Sequence, residues 1–239
     1  PSTKRPEALQ AFLDAVRRGF EDTSSDSETR GCLSRVFGAL EKLASGREAD
    51  PVRVPTAALL GQALKPACQP ESKFENLANR ILHLDPLLSW KRRAGDAPHA
   101  SPSYADGHAN AMVVGPGGLE ERRDVWVGLS LLAPDVRYPD HRHAPEEIYL
   151  VLSDGQFRQG ERAWFTPGIG GTLYNEPNIL HAMASSPSTP FLAVWCLFDA
   201  RYEWLRMKAV GRARRKLGNV TVHHAIAAMP IGLMRGPVE

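Results

Sequence analysis

Hydrophobic positions change their spacing near Ala94. Before that point they recur at helical intervals. Leu9, Phe12, Leu13 and Val16 fall at i, i+3, i+4 and i+7 and form one apolar stripe. Leu33, Val36, Phe37, Leu40 and Leu43 repeat the pattern, with Gly46 as the stop. Ser72 followed three residues later by Glu75 has capping-box spacing. It predicts a third helix from Ser72, with Phe74, Leu77, Ala78, Ile81 and Leu84 on one face. Residues 24–28 and 66–70 read as loops between these helices. Beyond Ala94, a segment rich in Gly, Pro, Ser and His (94–108) leads into short apolar runs of period two. The predicted strands are 111–114, 125–132, 148–152, 162–166, 171–174, 180–184 and 191–198. Many short strands with turn residues between them predict a sandwich or barrel, a class that includes jelly rolls. The chain therefore divides into a helical part (1–95), a β part (96–207) and a tail (208–239) to which no period assigns a structure.

Composition narrows the function classes. The 239 residues carry a formal net charge of +2, too small to point to nucleic acid or a membrane surface. The basic clusters 91–93 and 212–216 read as solvated surface. Cys32, Cys68 and Cys196 are odd in number and widely spaced, which argues against a disulfide framework and a thiolate zinc site. Cys196 lies within an apolar run and reads as a buried, inert thiol. No stretch approaches the ~20 apolar residues of a membrane span, and the amino terminus lacks a signal-peptide apolar region. The expectation is a cytoplasmic protein whose partner is a small molecule, with the helical segment as a candidate homodimerisation element.

The chemistry concentrates between Tyr138 and Tyr149. His141, His143, Glu147 and Tyr149 sit at odd-numbered positions, so an extended strand projects all four to one side. Pro145 interrupts regular pairing between them, and Asp140 and Glu146 alternate to the other side. Two imidazoles, a carboxylate and a phenol aimed into a barrel are costly to bury unless something satisfies them. A divalent metal does so, since imidazole and carboxylate suit Zn, Fe, Mn, Co or Ni. His181, in a later strand, supplies a further ligand. His83, His99, His108, His223 and His224 lack such context and read as structural or surface residues.

These residues carry a resemblance. His143, Glu147 and His181 resemble the metal ligands of cupins, and Gly168 to Gly170 before Asn178 resembles the second cupin motif. The full set of Tyr138, His141, His143, Glu147, Tyr149 and His181 is similar to the active site of the cupin-type dimethylsulfoniopropionate (DMSP) lyases, over about residues 125–198. The resemblance implies a mainly β, jelly-roll cupin barrel with an amino-terminal helical subdomain. It implies a carbon–sulfur lyase that cleaves DMSP to dimethyl sulfide and acrylate with one divalent transition metal ion, such as zinc or iron. His143, Glu147 and His181 would hold the metal, with Tyr149 as a fourth ligand at rest. Tyr149 is the first choice of base and Tyr138 the second, or a substrate-positioning group. His141 would lie beside the metal, tuning a tyrosine or the carboxylate.

A sulfonium is a soft cation without hydrogen-bond donors, so aromatic faces suit it. Trp126, Trp164, Tyr174 and Trp195 fall in predicted strands and are candidates for that wall. Two other readings share the His and Glu set: a cupin oxygenase or isomerase, which would not need the tyrosines, and a small-molecule-binding cupin without turnover.

Overall fold

The computed structural model describes residues 4–202; the tail from residue 208 and its basic cluster lie outside them. The amino-terminal stripes become helices α1 (Glu7–Glu21) and α2 (Ser27–Leu40). Helix α2 starts well before its first stripe residue because the Asp26 carboxylate accepts a hydrogen bond from the Thr29 N–H (2.7 Å), which caps it inside the expected loop. It ends at Leu40, and Leu43 is 46% exposed. A short helix α3 (Leu60–Leu64) follows, then α4 (Glu75–Leu84). The capping box does not form. Ser72 Oγ accepts from Phe74 N and its carbonyl from Glu75 N, so a tight turn uses Ser72 and the helix starts three residues later.

The β part comprises β1 (Trp90–Lys91), a single helical turn α5 (Tyr104–Gly107), β2 (His108–Val114), β3 (Val125–Leu132), β4 (Glu146–Val151), β5 (Gly155–Gln159), β6 (Thr172–Asn175), β7 (His181–Ser185) and β8 (Phe191–Phe198). An antiparallel six-stranded sheet runs β1-β2-β3-β8-β4-β6, and β5 pairs with β7. Residues 136–141 run along the other edge of β7: Tyr138 N donates to Met183 O (2.8 Å), and His141 and His181 exchange both backbone bonds. Strand β5 went unpredicted because Phe157 is its one large apolar residue. The expected strand 162–166 is absent; there Phe165 forms a lone bridge to Phe157.

The large sheet is covered on both sides, which is why β8 is buried at every position. Val127, Leu129, Ile148, Leu150, Val194 and Cys196 share an apolar cluster with Phe12, Val16, Val36, Leu77 and Ile81 of the helices. On the other side Tyr149, Val151, Phe191, Trp195 and Leu197 meet Tyr138, Phe157 and Met183 of the small sheet and its edge, and this second cluster is the barrel interior. Residues up to Ala200 fall in one compact unit. All three cysteines are free, and burial pushes the Cys32 and Cys196 thiols well above their ordinary pKa. No helix among the described residues is long and apolar enough to cross a membrane.

A buried ion network ties the end of α2 to the turn before β3. Arg122 donates to the Ala39 and Lys42 carbonyls and Arg5 to the Leu40 carbonyl, while Glu120 takes both arginines. The carbonyls that a helix end leaves unsatisfied are thereby paired with cations. Glu120→Ala would strand the buried Arg5 guanidinium, while Arg122 keeps Asp124, and is expected to lower unfolding free energy by about 3–5 kcal/mol in a urea titration.

Candidate metal centre

Strand β4 alternates. Glu147 and Tyr149 point into the barrel, while Glu146 points to the helices, where Arg35 grips it with two hydrogen bonds and Tyr174 with a third. His181 opens β7, and His141 lies directly across from it on the paired edge. Residues 142–145 leave the ladder, and the His143 carbonyl accepts from Asn178 N (2.8 Å), which returns the imidazole toward Glu147. Asn178 sits at φ 65° after β6, and Gly168 and Gly170 before that strand adopt φ 75° and 80°.

Each of the three histidines directs Nδ1 at a main-chain carbonyl: His141 to Pro139, His143 to Pro145 and His181 to Ile179, at 2.9–3.0 Å. A carbonyl can only accept, so each Nδ1 carries the proton of the neutral ring and Nε2 presents a lone pair. The ligand nitrogens of all three lie within 4.8 Å of one another. Glu147 Oε2 lies 3.1 Å from His143 Nε2 and 3.3 Å from His181 Nε2. His181 Nε2 is fully buried and makes no hydrogen bond despite that distance. Acceptors facing acceptors in a buried space need a cation between them, and these donors fit a divalent metal.

The ionisable groups of the cluster depend on one another. Burial, with His181 beside it, drives His141 down to about 3, so that ring stays neutral. Burial also opposes charge on His143, but the Glu147 carboxylate outweighs it and raises the pKa. Glu147 is buried, yet the neighbouring imidazoles hold it well below the usual carboxylate range. Burial, and then the Glu147 charge, hold the Tyr149 phenol well above 10. Burial and the nearby Tyr104 likewise raise Tyr138.

The other sequence-predicted residues divide. Tyr138 lies edge-on to His141 at 5.1 Å, and Tyr149 and Trp195 are cross-strand partners on the barrel face. Trp126 packs on the same interior. Tyr174 does not: it is in register with Ile148, which faces the helices, so its hydroxyl reaches Glu146 outside the barrel. Trp164 is also outside, its ring covered by the Arg137 and Arg158 guanidinium groups at 5.3 and 5.5 Å. Those arginines hold Asp140, which faces away from the centre as its parity predicts. His141, expected beside the metal, is brought in as a member of the histidine cluster.

Sequence reasoning missed the polar residues behind these groups. Asn175 donates to Glu147 Oε2 (3.0 Å) and accepts from Gln159 (2.7 Å), which fixes the carboxylate. Asn110 donates to Tyr138 Oη. The only local signal for either was a polar residue at a barrel-facing position. Gly128 was also overlooked. A Cβ there would meet the Trp195 ring at 2.2 Å and the Ala111 carbonyl at 2.6 Å. Gly128→Ala is expected to displace the Trp195 indole and lower stability by ~1–3 kcal/mol, read by thermal melting and the near-ultraviolet circular dichroism of tryptophan.

Fold and site together define a cupin with a three-histidine, one-glutamate candidate metal centre. The sequence profile of the DMSP lyases matches residues 28–193, and the chain belongs to that family of carbon–sulfur lyases. A Cereibacter sphaeroides protein assigned as the DMSP lyase DddL is 24% identical over 192 residues, spanning 78% of each chain. The crystal structure of the DMSP lyase DddQ from Ruegeria pomeroyi DSS-3 superposes with a TM-score of 0.64 at 19% identity, covering 82% of this chain and 93% of that one. A chain from crystal structures of the DMSP lyases RdDddP and RnDddQII gives 0.58 at 19% identity, covering 81% and 93%.

Proposed function

We propose that the barrel eliminates dimethyl sulfide from DMSP with Tyr149 as base, Tyr138 as a donor to the substrate carboxylate, and a divalent metal held by His141, His143, His181 and Glu147. The observation that carries this reading is the placement of two buried tyrosines in the same interior as the histidine–glutamate cluster. Zinc, iron, manganese, cobalt and nickel all suit the donor set.

Dimethyl sulfide is a good neutral leaving group, and the proton next to the carboxylate is the obstacle. A divalent cation bound here supplies positive charge beside the substrate carboxylate and beside Glu147, offsetting the charge built as the proton leaves and relieving what opposes ionisation of Tyr149. Tyr149 Oη takes the proton. The C–H electron pair becomes the new carbon–carbon double bond, the carbon–sulfur pair departs with dimethyl sulfide, and acrylate remains. Phenolate suits this step because it is more basic than imidazole or carboxylate yet reachable in a perturbed site. Asn175 and Gln159 keep Glu147 oriented, and the barrel excludes water from the developing charge. The indoles of Trp126 and Trp195 offer the sulfonium methyl groups an aromatic wall.

Incubation of metal-supplemented protein with DMSP, with headspace dimethyl sulfide measured against a boiled control, tests the reading. Release of dimethyl sulfide and acrylate in equal amounts is expected, and no release would discard it.

A further inference from the structure

Two polar side chains on the barrel face of β2 and β3 take no part in the metal cluster. Asn110 on β2 and Ser130 on β3 are direct cross-strand partners. Ser130 Oγ donates to Asn110 Oδ1 at 2.7 Å, and Asn110 Nδ2 donates to Tyr138 Oη at 3.0 Å. The two lengths accord with this orientation of the amide: an O–H···O bond centres near 2.7–2.8 Å and an N–H···O bond near 2.9–3.0 Å. A phenol has one proton. With an N–H on its oxygen, Tyr138 is left with that proton to donate elsewhere. The neighbouring hydroxyl of Tyr104, whose ring is 5.2 Å away, is buried with no partner in hydrogen-bond geometry.

We infer that Asn110, oriented by Ser130, is a positioning residue that commits the Tyr138 hydroxyl proton to the carboxylate of the substrate. The inference rests on the reading above in which Tyr138 meets that carboxylate. A sulfonium offers no lone pair to a donor, so the carboxylate is the acceptor that such a proton selects. The arrangement is conveyed entirely through hydrogen-bond direction: serine hydroxyl to amide oxygen, amide nitrogen to phenol, phenol to substrate.

Asn110→Asp tests it with almost no change of shape. The substituted side chain still accepts from Ser130, but it turns an acceptor toward Tyr138 and takes the phenolic proton. Turnover of DMSP should fall in kcat/KM by roughly ten-fold, the worth of one hydrogen bond to a charged group. Binding of acrylate, a carboxylate that does not react, should weaken by roughly ten-fold or more in calorimetry, with metal content and melting temperature unchanged. Ser130→Ala should show a smaller loss in both. The double variant Asn110→Asp, Tyr138→Phe should be no worse than Tyr138→Phe alone, because both changes remove the same donor. Additive losses, or an Asn110→Asp protein that binds acrylate and turns over like the parent, would overturn the inference. If the parent releases no dimethyl sulfide while Asn110→Asp still weakens acrylate, the lyase reading fails and the positioning role stands.

Discussion

Tyr149→Phe is expected to lower kcat for dimethyl sulfide release by on the order of 10³-fold, within the range that a general base contributes. The substitution removes one oxygen and keeps the ring, so contacts with Phe157 at 5.2 Å and with Trp195 across the strands persist. Stability should therefore change little, and the bound metal should remain because three imidazoles and Glu147 still hold it. Tyr138→Phe should behave differently. It removes a donor to the carboxylate and not the base, so its loss should be roughly ten-fold and carried largely by KM. A reversed order, with Tyr138→Phe the inactive variant, would make Tyr138 the base and Tyr149 the accessory group. Rates for the two variants at saturating and at low DMSP, with melting temperatures measured alongside, decide between these outcomes.

His181→Ala should remove both metal and activity. Its Nε2 is the buried lone pair with no hydrogen-bond partner, and its ring sits 4.1 Å from His141 and 5.0 Å from His143. Without it the donor set loses its innermost member, and the loss of charge stabilisation is worth several kcal/mol, or ~10³-fold or more in rate. The measurement is metal content by elemental analysis after dialysis, beside the rate of dimethyl sulfide release. A plain hydrogen-bonded core would respond otherwise. The parent would then hold no metal after loading, and the variant would show only the stability loss of a cavity.

The six residues of the candidate site were legible because most of them lie on one short stretch. A period of two settles which side of a strand each side chain takes, so Glu147 and Tyr149 could be grouped, and Glu146 and Asp140 set apart, without knowing what lay opposite. The same rule failed at Tyr174. Its side depends on pairing with Ile148 in β4, a contact between segments far apart in the chain. Trp164 failed because its segment never joins a sheet and two arginines cover its ring.

Local spacing also could not say that His141 stands as close to the cluster as His143 and His181. That follows from the backbone bonds His141 exchanges with His181, which bring separate strands into register. The pairing of Asn110 with Ser130, twenty residues apart, lies further still beyond a linear reading. By itself the sequence determined the helical and β halves, the residue types at the centre and the face each takes on its own strand, because these depend on periodicity within one segment. Only the tertiary structure decided which faces meet, which aromatic rings line the interior and which polar groups stand behind Glu147 and Tyr138. Those outcomes depend on register between strands, and register is set by packing across the whole barrel.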